Sequence, residues 1–318
     1  NYKVYNTKSS SKRRSWAASA CQPPPVAPKL EQQLISAPVE VCVNQPQVSR
    51  LERQILTYLE QREFTRALNL YRSIERSSSD RYSQMFSEDL FTTFIQSAIR
   101  MGKIDVMEHM LQSMKHRGMV PSCECWRAIL KLASSRKCFK ACLYMYSMFE
   151  KDTPSDKVIF SCLMNAALEV GCPQHALAMI PRYSEGGLEA KDHVLMLRTY
   201  FACGCPDQAE ASLEAVGQEA TTLMLNLFLS SCTSAKQPER GLRVLCKMQA
   251  QSTETGGCKD IADVISYNIL IKGFVEVGST QQALQCFRRM VGQGLEPDTT
   301  AVCALLDGSC ACGEAAAV

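Results

Sequence analysis

The sequence predicts an all-α chain built as a right-handed superhelical solenoid of helix-turn-helix repeats. Three observations predict it. Beyond about residue 48 apolar residues recur at helical spacing, as in Leu51, Ile55, Leu56 and Leu59, then Phe64, Ala67, Leu68 and Tyr71, and almost no run alternates as a strand would. Short polar or Gly/Pro breaks divide these faces into helices of roughly 10–15 residues. Two stretches, Glu88–Ser122 and Val264–Asp298, are self-similar over 35 residues. A fixed period of that size marks stacked hairpins, none of which can bury its apolar face alone.

Taken in order, residues 1–47 stand apart. The first 30 carry Lys3, Lys8, Lys12, Arg13, Arg14 and Lys29 with no acidic residue, many Ser and the run Pro23–Pro25. That composition predicts a disordered basic and Pro-rich segment, either a plain linker or the end of an organelle transit peptide. The helical array then spans 48–318, in units at 48–87, 88–122, 123–156, 157–189, 190–221, 222–263, 264–298 and 299–318. The first of these fits the pattern poorly. The chain opens on Asn1 and stops at Val318 inside a unit, so a fragment is expected.

Each landmark has a physical reason. An aromatic stands fourth in the two clearest units (Phe91, Tyr267) and opens an apolar face. Gly stands fifteenth (Gly102, Gly171, Gly204, Gly278), where a helix ends in the left-handed conformation that other residues resist. Gly313 repeats Gly278 after 35 residues. The pairs Ala67-Leu68, Ala176-Leu177 and Ala283-Leu284 share one offset and let the second helix approach the first. Met114 and Met290 fill the space near the end of the second helix, and Gly-x-x-Pro (Gly118/Pro121, Gly294/Pro297) closes both clear units. The unit at 222–263 is long because it holds Ser252–Asp260, rich in Thr, Gly and charge, which reads as a surface loop between repeats.

Composition excludes several classes. Of 318 residues 46% are hydrophobic and 21% charged, at formal charge +3, which suits a chain with a buried core and excludes a histone-like polycation. Six of the 35 Lys and Arg precede Glu31 while all 32 Asp and Glu follow Leu30, so the repeat body is slightly acidic, at −3. The longest apolar run, around Leu223–Leu229, contains Asn226, far short of the ~20 apolar residues of a membrane span. Seventeen cysteines at irregular spacings, no C-x-x-C and four scattered histidines argue against structural zinc. They favour Cys as a small apolar filler in a reducing compartment.

The Val264–Asp298 unit resembles a pentatricopeptide repeat, through Ser266-Tyr267-Asn268 near its start and Gly294-Leu295-Glu296-Pro297-Asp298 at its end. The likeness covers about 270 residues, most clearly 88–122 and 264–298. The resemblance implies sequence-specific binding of single-stranded RNA, an organellar transcript in the mitochondrion or chloroplast. One repeat would read one base through its fifth and last residues, in keeping with repeat proteins that use two or three side chains per base. Carried over, Asn226 with Asp263 and Asn268 with Asp298 match the uracil-type pair. The other pairs are Thr92/Ser122, Arg127/Asp156, Ser161/Glu189 and Val194/Thr221, of which Val194 cannot hydrogen-bond a base. In the family an apolar second residue packs on the base; Leu223, Ile265 and Val158 fit and Asp89, Glu124 and Lys191 do not, while Thr300 follows Asp298 at the same place.

No P-loop, H-E-x-x-H or G-x-S-x-G occurs, and His109 and His116, seven apart on one helix face, read as surface residues. The expectation is therefore no catalytic residue, metal or cofactor. The predicted function is single-stranded RNA binding that affects processing, stability, editing or translation, with other RNA-processing proteins as further expected partners and no membrane. The alternative is a protein-interaction scaffold of degenerate helical repeats, favoured by the acidic body and the illegible middle pairs. Each Asn also has a structural alternative, a satisfied amide at a helix start.

Overall fold

A computed structural model describes residues 45–77, 86–254 and 261–312. The basic segment up to Asn44, most of the loop expected after Ser252, and Gly313 lie outside the described residues. Fifteen α-helices are described, with no strand among the described residues. They pair as hairpins: α1 (Gln45–Glu60) with α2 (Phe64–Ser77), α3 (Glu88–Arg100) with α4 (Ile104–His116), and α5 (Cys123–Ser135) with α6 (Phe139–Phe149). Next come α7 (Lys157–Val170) with α8 (Pro173–Ser184) and α9 (Asp192–Cys203) with α10 (Pro206–Val216). Then α11 (Thr222–Ser234) pairs with α12 (Pro238–Glu254) and α13 (Val264–Glu276) with α14 (Thr280–Gly292), while α15 (Thr299–Cys312) opens a further unit. Because α12 runs through Glu254, the first residues of the expected loop are helical instead.

The first helices form the continuous layer. Each packs on the next along the whole array, and from α6 onward each second helix also packs on the first helix that follows it. Second helices meet one another closely only at α4 and α6. Burial recurs with the helical period along the first helices, most fully in α3 and α13. In α3 it takes Leu90, Phe91, Phe94, Ile95, Ala98 and Ile99, and in α13 Ser266, Tyr267, Leu270, Ile271, Gly273 and Phe274. The fourth-position aromatics Phe91, Trp126, Phe160 and Tyr267 are fully buried. Arg117 and Arg182 from the paired second helices lie 4.9 and 4.8 Å from the Phe91 and Phe160 ring centroids, close enough for cation–π attraction.

Every hairpin turn places a left-handed residue fifteenth. Gly102, Gly171, Gly204 and Gly278 do so at φ 68–83°, and Arg62, Lys137 and Lys236 take the same place at φ 58–62°. Glycine was therefore an incomplete marker: three turns use the conformation without the residue that adopts it at least cost. The small residues at the tenth position have a separate purpose. A Cβ built on Gly273 would lie 2.3 Å from Thr233 Cγ2, and one on Gly308 would lie 2.9 Å from Val275 Cγ2, so successive first helices meet there almost backbone to side chain.

One repeat departs from the apolar plan. At the third and fourth positions of unit 190–221 stand Asp192 and His193, both buried. Asp192 accepts from Tyr183 Oη (3.1 Å) and the Glu189 N–H (2.8 Å) and pairs with Lys157 Nζ (2.5 Å). Burial alone would push this carboxyl up, but Lys157, the Glu189 N–H and Tyr183 outweigh it and hold it low. His193 Nδ1 lies 2.8 Å from Ser212 Oγ. A buried carboxylate and imidazole are tolerated here because each has partners.

The cysteines behave as packing atoms. Cys125, Cys142, Cys232 and Cys286 are buried, and burial pushes their thiols up to about 12. Among the described residues no three His, Cys, Asp or Glu side chains gather as a metal site, and no helix is long and apolar enough to cross a membrane.

Candidate functional site

The face of the first-helix layer carries the candidate site, and helix capping builds it. The last residue of a unit is the N-cap of the next first helix. Ser87, Ser122, Asp156, Thr221 and Asp263 each accept a hydrogen bond from a backbone N–H three residues on, and Asp298 accepts from the Ala301 N–H at 3.0 Å. Such caps satisfy donors that a helix start leaves orphaned. The structural alternative weighed for Asn thus falls on its Asp partner. At Asp156, Asp263 and Asp298 the capping side chain also meets the fifth residue of the preceding first helix.

Asn226 Nδ2 donates to Asp263 Oδ1 at 3.2 Å, and Asn268 Nδ2 reaches both oxygens of Asp298 at 3.0 and 2.9 Å. Arg127 pairs with Asp156 at 2.5 Å, and Glu52, fifth in the first unit, accepts from the Ser87 N–H at 3.1 Å. Four fifth residues of three chemistries (amide, guanidinium and carboxylate) therefore meet the last residue of their own unit. Their nearness is a property of the stacking and not of Asn or Asp. Other pairs stay apart. Thr92 Oγ1 donates to Cys125 Sγ (3.2 Å) while the Ser122 N–H goes to Glu88 (2.6 Å), and Ser161 Oγ turns back to the Val158 carbonyl (2.9 Å). Glu189 does not cap α9 and instead pairs with Lys191 at 2.6 Å.

The two Asn/Asp pairs differ in what they leave open. Asn226 Oδ1 accepts from Ser266 Oγ (2.6 Å), and Asp263 Oδ1 also receives the Ser266 N–H (2.8 Å) while the Asp263 N–H donates to Ser266 Oγ (3.2 Å), a capping box. The site therefore offers an amide N–H beside a carboxylate oxygen, with the amide oxygen already engaged. Asn268 Oδ1 is likewise shielded, without a partner among the described residues. Asp298 is exposed, and the Ala301 N–H, together with Asn268 and Thr300, holds it below the usual carboxylate range. Arg127 does the same for Asp156.

Beside these pairs stand the second-position side chains. Leu223 is 56% and Ile265 58% exposed, Val158 is 37% exposed, and Thr300 is exposed. Leu223 and Ile265 each precede their Asn by three residues, one turn away on the same helix face. An exposed aliphatic next to a polar pair in two successive units is an apolar platform with a directional edge. Asp89, Glu124 and Lys191 supply no such platform. Sequence reasoning missed that Ser266 completes the Asn226–Asp263 cluster; its position three after Asp263 is the capping-box spacing that could have shown it.

Comparison with known proteins bears on both repeats. A model of the PPR repeat family matches residues 262–311, and one of the PPR repeat matches residues 89–119. The small ribosomal subunit protein mL103 (rPPR7) of Arabidopsis thaliana is 20% identical over 253 residues, 77% of this chain and 59% of that protein. The chain therefore spans about three fifths of that relative's length. Two solved structures are similar: pentatricopeptide repeat protein PPR10 in complex with an 18-nt psaJ RNA element, and PPR10 from maize. The first has a TM-score of 0.49 at 16% identity over 85% of this chain and 38% of that one. The second has 0.34 at 14% identity over 84% and 47%. Matches to PPR repeats thus fall on residues 89–119 and 262–311, the two units whose 35-residue likeness is clearest.

Proposed function

We propose that this array binds single-stranded RNA sequence-specifically, with no catalysis of its own. One observation carries the reading: Asn226–Asp263 and Asn268–Asp298 are joined by direct hydrogen bonds in successive units, with Leu223 and Ile265 exposed beside them. The aliphatic side chain packs on a base face while the amide N–H and the carboxylate meet its edge. Uracil suits that edge, because it presents one N–H between carbonyls. The two units then take two consecutive uracils. By covering or freeing a segment, such binding alters processing, stability, editing or translation of an organellar transcript, in the mitochondrion or chloroplast. The similarity to a ribosomal protein adds a second setting, in which the RNA is held as part of a particle.

The test is binding to short RNAs with U-U or G-G at the site. Wild type favours U-U, and Asn268→Ala removes most of that preference while keeping the fold. An absent preference in wild type, or one untouched by Asn268→Ala, refutes the reading.

A scaffold for a protein partner is favoured by a different observation. In unit 123–156 the Arg127–Asp156 ion pair closes on itself, and Val194 in unit 190–221 offers nothing to a base. These units present a sealed surface to the same face. Retention of a partner protein by an Asn226→Ala/Asn268→Ala variant that has lost RNA would support that second reading.

A further inference from the structure

In every unit from residue 88 onward the ninth residue lies one turn beyond the fifth, on the same face of the first helix. Along the array it is Gln96, Lys131, Asn165, Arg198, Ser230, Lys272 and Asp307. Three of these are basic, on alternate first helices α5, α9 and α13. The three differ in how their charge is used. Arg198 donates to Asn165 Oδ1 at 2.9 Å and pairs with Glu169 at 3.5 Å, so its guanidinium is spent within the protein. Lys131 and Lys272 are exposed and make no ion pair among the described residues. On the second helices, Arg240 pairs with Asp207 and Glu210, and Lys247 with Glu214.

From this placement we propose that Lys131 and Lys272 contact the phosphodiester backbone of the bound strand, resting on the RNA-binding reading above. A helix turn advances about 5.4 Å, so a base edge held at the fifth position leaves its sugar and phosphate within reach of a lysine at the ninth. A lysine acts there as a mobile point charge on a phosphate, indifferent to base identity. The track is discontinuous: Arg198 is occupied between the two lysines, and Asp307 on α15 repels a phosphate at the far end. That pattern reconciles an acidic repeat body with nucleic-acid affinity, since two well-placed cations contribute without a basic stripe.

The experiment measures dissociation constants of the full chain for a U-U-containing RNA across a salt series. The variants are Lys131→Gln, Lys272→Gln, the double variant and Arg198→Gln. Releasing one counterion from a single strand contributes a slope of about 0.7 in log K against log salt. The expected result is a slope shallower by about 1.4 in the double variant, with the U-U over G-G ratio unchanged, rescue by arginine at both sites, and no change in Arg198→Gln. RNA binding with an unchanged slope in the double variant overturns the proposal and leaves base reading intact. Failure of wild type to bind RNA overturns both. A changed base preference in the double variant also contradicts the backbone assignment.

Discussion

Gly273→Ala is the sharpest test of how closely successive first helices pack. In an isolated helix interior this substitution stabilises by about 1 kcal/mol. In the array the new Cβ would sit 2.3 Å from Thr233 Cγ2 and 2.9 Å from Thr233 Cβ, whereas carbon atoms rest at roughly 3.5–4.0 Å. Thr233 has little freedom to yield. It is β-branched and stiff about χ1, and its Oγ1 donates to the Ser230 carbonyl at 3.1 Å. The α11 and α13 backbones must therefore separate, and overpacking of this kind costs about 1–3 kcal/mol. The net expectation is a loss of about 1 kcal/mol, or roughly 2–4 °C in Tm if the array melts as one unit. Adding Thr233→Ser removes the nearest methyl but keeps the hydroxyl bond, and should recover most of that loss as positive coupling. The assay is thermal and urea denaturation of the four members of the cycle, with hydrogen exchange to localise the change to α11–α13. A Gly273→Ala variant as stable as wild type, or a cycle with no coupling, would refute the close approach that brings Asn226 to Asp263.

Lys137→Gly and Lys236→Gly, at left-handed turn positions, should each stabilise by up to ~1 kcal/mol, read as a rise in urea midpoint; a fall would show that those turns are not left-handed. Arg240→Ala should cost about 1–2 kcal/mol, because a guanidinium only 20% exposed loses two carboxylates and strands Glu210, itself 22% exposed. Stability unchanged in Arg240→Ala would mean the α10–α12 bridge contributes nothing. Burial holds His193 below the ordinary imidazole value, so the unfolded chain takes up a proton first as pH falls below about 6.5. Stability contributed by neutral His193 is full above that pH and lost as pH drops through the lower folded value. His193→Gln should flatten the stability profile between pH 7 and 5, and an unchanged profile would assign the slope elsewhere. The low values of Asp156 and Asp298 act only below about pH 4.

The repeat plan was legible because its signals are local. A helical face shows in the chain as i, i+3, i+4 spacing, and glycine at a left-handed turn leaves a letter that recurs. Where Arg62, Lys137 and Lys236 accept the same φ, the letter changes while the geometry stays, so those turns were silent. Asp192 and His193 show the converse. Core positions filled by polar residues look exposed in sequence, and only Lys157, Tyr183 and Ser212, arriving from other helices, make them tolerable inside. At the candidate site the residue pairs could be named in advance, since they stand at fixed offsets. Their bonding could not, because Asp263 caps α13 and meets Asn226 across a helix interface that no linear spacing specifies.

On the proposed reading, two successive units present their Asn–Asp pairs to neighbouring nucleotides. This is tested most directly by measuring binding to a set of RNAs carrying every single-base substitution, for wild type, Asn226→Ala and Asn268→Ala. The account predicts that each variant relaxes preference at one nucleotide, by several-fold for a hydrogen bond worth about 1 kcal/mol, and that the two relaxed nucleotides are neighbours. Relaxation of the same nucleotide by both variants, or of two separated ones, would contradict it.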